Sequence, residues 1–100
     1  MEIIDYIPLG KDNAVTRREL VARTGMTDRI VREAIATARC AVPIISSGKG
    51  YYQPTTWREV EGWIRQETAR ARSIFRSMRG AREYLKKYAD EALKKEISNG

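Results

Sequence analysis

Histidine is missing altogether from these 100 residues, and cysteine occurs once, at Cys40. The first absence removes the commonest general base and the commonest metal ligand. The second leaves no intramolecular disulfide and no thiolate zinc site. With no imidazole to activate it, Cys40 reads as a small buried hydrophobe and not as a nucleophile. The carboxylates are scattered among arginines. The one Gly-Lys-Gly, at residues 48–50, lacks the spacing of a phosphate-binding loop. Catalysis, a bound metal and a bound cofactor are therefore not expected. Apolar runs are far too short to span a bilayer, and no basic-then-apolar leader opens the chain. A cytoplasmic protein without membrane contact is the expectation. Proline is scarce as well, and none follows Pro54, so nothing from there onward forbids a long helix.

What is present fits a folded, soluble, basic protein. The apolar fraction is 42% and the charged fraction 32%, values of a globular chain and not of a disordered one. The formal net charge is +6 and the isoelectric point about 9.8. That balance favours an anionic partner. One hundred residues suit one small domain, or a small domain plus an extension. A core of that size is marginal, and oligomerisation is a common remedy.

The chain is organised around residues 16–53. Thr16 precedes Glu19 by three positions, the pattern of a reciprocal capping box that starts a helix. Leu20 and Val21 give that helix an inner face, and Gly25 ends it. Thr27 is an N-cap for a second helix. Ile30, Val31, Ala34, Ile35 and Ala38 recur at three- and four-residue steps and share one face. Asp28, Arg29, Arg32, Glu33 and Ala36 are left on the other. This is the layout of a helix-turn-helix whose second helix offers its outer surface to the major groove. A hairpin follows. Ile44-Ile45 and Tyr51-Tyr52 are strand residues, and Ser46-Ser47-Gly48-Lys49-Gly50 between them is turn chemistry with one cation at its tip.

A helix-turn-helix followed directly by such a hairpin resembles the winged-helix family. The likeness is to the N-terminal domain of biotin-repressor-type regulators and to small phage-encoded DNA-binding proteins. It rests on Arg18-Glu19-Leu20, Thr24-Gly25-Met26-Thr27, Arg29, Val31-Arg32, Pro43-Ile44 and Gly48-Lys49-Gly50-Tyr51, and covers about half the chain. Two positions depart from the pattern. Val21 stands where the motif usually has a small residue, and Ala41 where a glycine often ends the recognition helix. Such a domain needs a third helix to close its core. The segment up to Leu9, with Ile3, Ile4 and Ile7 at helical spacing and Pro8 interrupting, is the candidate, as a short helix or an irregular arm. Ala14 and Val15 are placed to pair with the hairpin as a third strand.

Residues 55–100 read differently. Thr56 and Glu59 form a second capping box, and a helical stretch can run to about Ile97. Trp57, Ile64, Ala71, Met78, Leu85 and Ala92 recur every seven residues, with Val60, Ile74 and others three positions on; Trp63 and Phe75 widen the stripe. This is the pattern of a coiled-coil or helix-pair seam. One continuous helix would reach roughly 60 Å at 1.5 Å per residue, so it either pairs with a second chain or bends back, with Gly80 as the bend. Arg65, Arg70, Arg72, Arg76, Arg79 and Arg82 occur with only Glu67 among them. The six arginines read equally as phosphate contacts and as a solvated outer face.

The expected architecture is thus mainly α with a small β-hairpin: a winged helix-turn-helix over residues 1–54, then a helical extension over 55–100. The expected function is sequence-preferring binding of double-stranded DNA, as a small transcriptional regulator or a phage or mobile-element DNA-recognition protein. Arg29 and Arg32 would read guanine edges by bidentate contacts, and Asp28 and Glu33 would accept from cytosine or orient the arginines. Arg17, Arg18 and Thr27 would hold phosphates and set register, and Lys49 would contact the backbone or minor groove. Trp57, Val60, Ile64, Ala71, Ile74, Met78 and Leu85 would join a homodimer or higher oligomer. The alternative is a protein-interaction module that keeps the scaffold and never touches DNA.

Overall fold

A computed structural model describes the backbone of residues 2–99 and the side chains of residues 2–96. The chain is mainly helical, with one two-stranded antiparallel hairpin. Two single-turn 3-10 segments, Ile3–Tyr6 and Lys11–Asn13, precede α1 (Arg17–Thr24) and α2 (Asp28–Ala38). Strands β1 (Ile45–Ser47) and β2 (Gly50–Tyr52) follow, then α3 (Trp57–Ser77) and α4 (Arg79–Asn99). The chain forms two compact units, residues 1–64 and 65–100, so the first unit reaches past position 54 and takes in the first turns of α3.

In the first unit, local chemistry sets the helix ends. Thr16 caps α1 by accepting from the Glu19 N–H at 3.1 Å. Gly25 stops the helix in the left-handed conformation, φ 75°, with its N–H on the Val21 carbonyl. Thr27 then caps α2, accepting from the Ile30 N–H. Leu20 of α1 and Val31 and Ile35 of α2 are buried, and Ile3, Ile7, Val15 and Ile44 complete one core cluster with them. Val21 packs half-buried against that cluster. Ile30 departs from the expected inner face: it is exposed, at the rim of an open groove lined by Ile3, Met26, Ala34 and Ala38.

The hairpin is tighter than expected. β1 and β2 pair Ser47 with Gly50, so Gly48 and Lys49 alone form the turn and the serines belong to the strand. Val15 joins as the expected third partner, exchanging backbone hydrogen bonds of 3.0 and 2.7 Å with Tyr51. Gly50 is required there. Its φ is +123°, and a Cβ would stand 2.3 Å from the Val15 carbonyl oxygen. The N-terminal arm folds as a 3-10 turn packed on α1 and α2. Gln53 pins it in place. The Gln53 backbone bonds Pro8 and Gly10, and its side-chain amide donates to the Ile7 carbonyl at 2.7 Å.

Between α2 and β1 the chain turns without glycine. Residues 39–42 turn on backbone bonds to Thr37 and Ala38, and the Arg39 Nε donates to the Ile44 carbonyl at 2.9 Å. The Arg39 guanidinium lies over the rings of Tyr51 and Trp63, 5.8 and 5.2 Å from their centroids. This places Trp63 differently from the sequence reading. Half-buried, it faces Arg39 and does not widen the apolar stripe of α3. Cys40 is also corrected: it sits in this turn past the end of α2 and is exposed, not buried.

The α3 start follows the expected cap, since Thr56 accepts from the Glu59 N–H at 3.3 Å. The Glu59 carboxylate, however, takes the hydroxyls of Thr55 and Thr56 and not the Thr56 N–H. The second unit carries the rest of α3 and α4. Its interruption falls at Met78, not at Gly80, which lies inside α4. The cause is local. The Ser77 hydroxyl donates to the Ile74 carbonyl at 2.7 Å, and the Met78 N–H is shared between the carbonyls of Ile74 and Phe75. Arg82 N–H on the Met78 carbonyl restores helical bonding at once. Among the described residues no helix is long and apolar enough to cross a membrane.

Candidate nucleic-acid interface

The buried face of α2 fixes what its other face presents. With Val31 and Ile35 in the core, helical geometry turns Asp28, Arg29, Arg32 and Glu33 outward, and all four are exposed. Thr27 stands at the N-terminal end of this surface as the cap. Its oxygen accepts from the helix, which leaves the hydroxyl proton to donate outward. Arg17 and Arg18 occupy the first turn of α1, also exposed.

Seven of the eight residues expected at this site are held by hydrogen bonds or ion pairs. Asp28 is the hub. It accepts from Arg17 of α1 and lies 3.6 Å from Arg32 one turn further along α2. Asp28, and to a smaller extent nearby Tyr51, raises the Arg17 pKa above its ordinary value. Arg29 pairs with Glu33 at 3.2 Å along the helix. The starts of both helices are thereby tied through charged side chains. Arg18 makes no ion pair among the described residues. Lys49 stands in the turn of the hairpin, paired with Asp12 at 3.8 Å and not with the α2 group.

The arrangement can do two things chemically. Its outward arginines offer forked donors that match a guanine edge or a phosphate. Its two carboxylates restrain those donors and oppose a polyanion. Two supporting residues escaped the sequence reading. Asp12 restrains the hairpin lysine across 37 positions of chain, and Arg39 braces the turn that leads into β1. Neither belongs to a periodic pattern, and only the tertiary fold brings Asp12 to Lys49 and Arg39 to Tyr51 and Trp63. Among the described residues no cluster of three or more potential metal ligands occurs. Comparison with family models, with curated proteins and with solved structures returns no match.

Proposed function

We propose that this chain binds double-stranded DNA with sequence preference as a winged helix-turn-helix, with α2 in the major groove, and acts as a small transcriptional regulator or a phage or mobile-element DNA-recognition protein. One observation carries the reading. A helix with one face in the core follows a glycine-stopped helix, and its outer face bears Arg29 and Arg32 beside Arg17. The hairpin with Lys49 at its turn supplies the second contact. In this reading Arg29 and Arg32 read base edges, while Arg17, Arg18, Thr27 and Lys49 hold the backbone.

The same proposal makes the protein a homodimer through α3 and the start of α4. Ile64, Ile74, Met78 and Leu85 are exposed, and burying each one fully is worth roughly 1.5–3 kcal/mol. The seven-residue spacing makes the stripe complementary to a second copy of itself. A twofold pair of heads would then require two half-sites on the duplex.

Selection of bound duplexes from a random pool tests the proposal, with enrichment of a motif, repeated as two half-sites, as the expected result. A second reading has its own support. Asp28 and Glu33 bring carboxylates onto the presented face of α2, which suits a protein partner better than a phosphate backbone. Absence of duplex binding even at low salt would replace the DNA reading with that one.

A further inference from the structure

The positive charge of this protein is not where its recognition helix is. Residues 1–64 carry nine lysines and arginines against eight acidic residues, and residues 65–100 carry ten against five. The head is close to neutral, and most of its cations are already engaged. Arg17 and Arg32 share Asp28, Arg23 pairs with Glu19, Arg29 with Glu33 and Lys49 with Asp12. Neutralising phosphates and releasing their counterions is what gives a DNA-binding protein most of its sequence-independent affinity. A head with so little uncommitted charge contributes little of it.

The second unit is built the other way. From Arg65 to Arg82 there are six arginines and one carboxylate, Glu67. Within α3, Arg65, Arg72 and Arg76 follow at steps of seven and four, which places them along one edge of the helix. The edge runs beside the apolar stripe, and all three side chains are exposed. Arg72 and Arg76 make no ion pair among the described residues. All six are arginines, whose planar forks fit phosphate oxygens in pairs.

We propose that the Arg65–Arg72–Arg76 edge of α3 is a second nucleic-acid surface, one that grips the duplex phosphate backbone without regard to sequence. The inference rests on the DNA-binding reading of the head and divides the work within it. The edge of α3 supplies affinity, and α2 supplies preference. A basic amphipathic helix is also the pattern of a membrane-surface segment. The duplex is favoured because a membrane would need the apolar stripe that the second copy covers in the proposed dimer.

The test uses the full-length protein carrying Arg72→Gln together with Arg76→Gln. Anisotropy titrations on a selected duplex and on a scrambled one, between about 50 and 200 mM salt, give the slope of log affinity against log salt. Each lost phosphate contact removes about 0.9 from that slope. The double variant should therefore be shallower by about 2, and the wild type should lose about tenfold more affinity than the variant over that salt range. Both duplexes should weaken by the same factor, leaving the preference intact, and Arg72→Lys with Arg76→Lys should recover most of the slope. Light scattering should give the same mass for variant and wild type. An unchanged slope in the double variant, with wild-type binding present, overturns this inference and leaves the DNA reading standing. Binding to phosphatidylserine vesicles that exceeds binding to duplex and is lost in the variant overturns it in favour of a membrane surface. A wild-type protein that binds no duplex at all overturns both.

Discussion

Replacing Gly50 with alanine should damage the head more than any other single-methyl addition to it. The new Cβ would lie 2.3 Å from the Val15 carbonyl oxygen, 2.5 Å from its carbon and 2.9 Å from the Thr16 nitrogen, with the backbone at φ +123°. Ordinary contact needs roughly 1 Å more than the shortest of these. The obstacles are backbone atoms, so no rotamer change relieves them. Either Val15 moves away or Gly50 changes conformation. Both outcomes break the two hydrogen bonds that Val15 and Tyr51 exchange, and Val15 is buried, so water does not fully replace them. Two such bonds and the strained φ together amount to about 3–5 kcal/mol, against a total of roughly 5–15 kcal/mol for a domain of this kind.

Urea melting followed by the fluorescence of half-buried Trp63 measures the loss. Two other glycines act as controls. Gly25 has φ 75° but open space around a Cβ, so Gly25→Ala should cost only the left-handed penalty, about 1–2 kcal/mol. Gly48 has neither obstacle, and its alanine variant should stay within about 0.5 kcal/mol of the parent. A Gly50→Ala protein that melts within about 1 kcal/mol of the parent would refute the reasoning, because it would mean that the close approach of Val15 is not part of the native fold. The same shift would disturb function, since Thr16, next to Val15, caps the helix that carries Arg17 and Arg18.

The remaining expectations concern recognition, assembly and pH. Arg32→Ala should relax sequence preference and cost about 1–3 kcal/mol on the best site, while Lys49→Ala should weaken all duplexes about equally; a selection experiment showing the reverse would move base reading from α2 to the hairpin. Ile74→Asp with Met78→Asp should convert the proposed dimer to monomer by light scattering while leaving the melting of the head unchanged, and should weaken DNA binding through lost bivalency. Burial raises the pKa of Tyr52 above its ordinary 10.0, with the nearby Glu59 charge adding to the effect. Its contribution to stability is then complete below pH 10 and falls as pH rises above it, because the unfolded chain ionises first. Tyr52→Phe should abolish that part of the alkaline fall, read as urea midpoints across the interval.

Short-range chemistry made much of the fold legible. Thr16, Gly25 and Thr27 act through hydrogen bonds to residues within four positions of themselves, so their roles can be read without knowing the fold. The pairing of Val15 with β2 needed only the alternation of a strand and a place for it to go. Where sequence and structure part, the deciding contact is long-range or depends on a competing side chain. Trp63 matched the amphipathic stripe of α3 by spacing alone, but the Arg39 guanidinium lies over its ring. Gly80 was the obvious weak point by propensity, yet inside a helix a glycine only lowers stability. The break needs a competing donor, and the Ser77 hydroxyl provides it on the Ile74 carbonyl, so the interruption falls at Met78, two residues before Gly80. Gln53 carried no signal at all, since its partners lie more than forty positions away.

The candidate site can be named from the sequence as a set of residues but not as an electrostatic object. Counting charges along the chain treats Arg17, Arg29, Arg32 and Lys49 as four available cations. The fold gives each of them a carboxylate, and whether that disables them is a matter of magnitude. An exposed ion pair such as Arg32 with Asp28, or Arg29 with Glu33, is worth about 0–1 kcal/mol. A bidentate guanine contact discriminates by about 1–3 kcal/mol. The pairs therefore yield when a better partner arrives, and until then they hold the guanidinium groups in place over the outer face of α2. What the pairs do remove is long-range attraction, because a neutralised cation draws no polyanion from a distance. If the head binds DNA as proposed, it can select but scarcely attract, and Arg72 and Arg76 of α3, which make no ion pair among the described residues, are placed to supply the attraction.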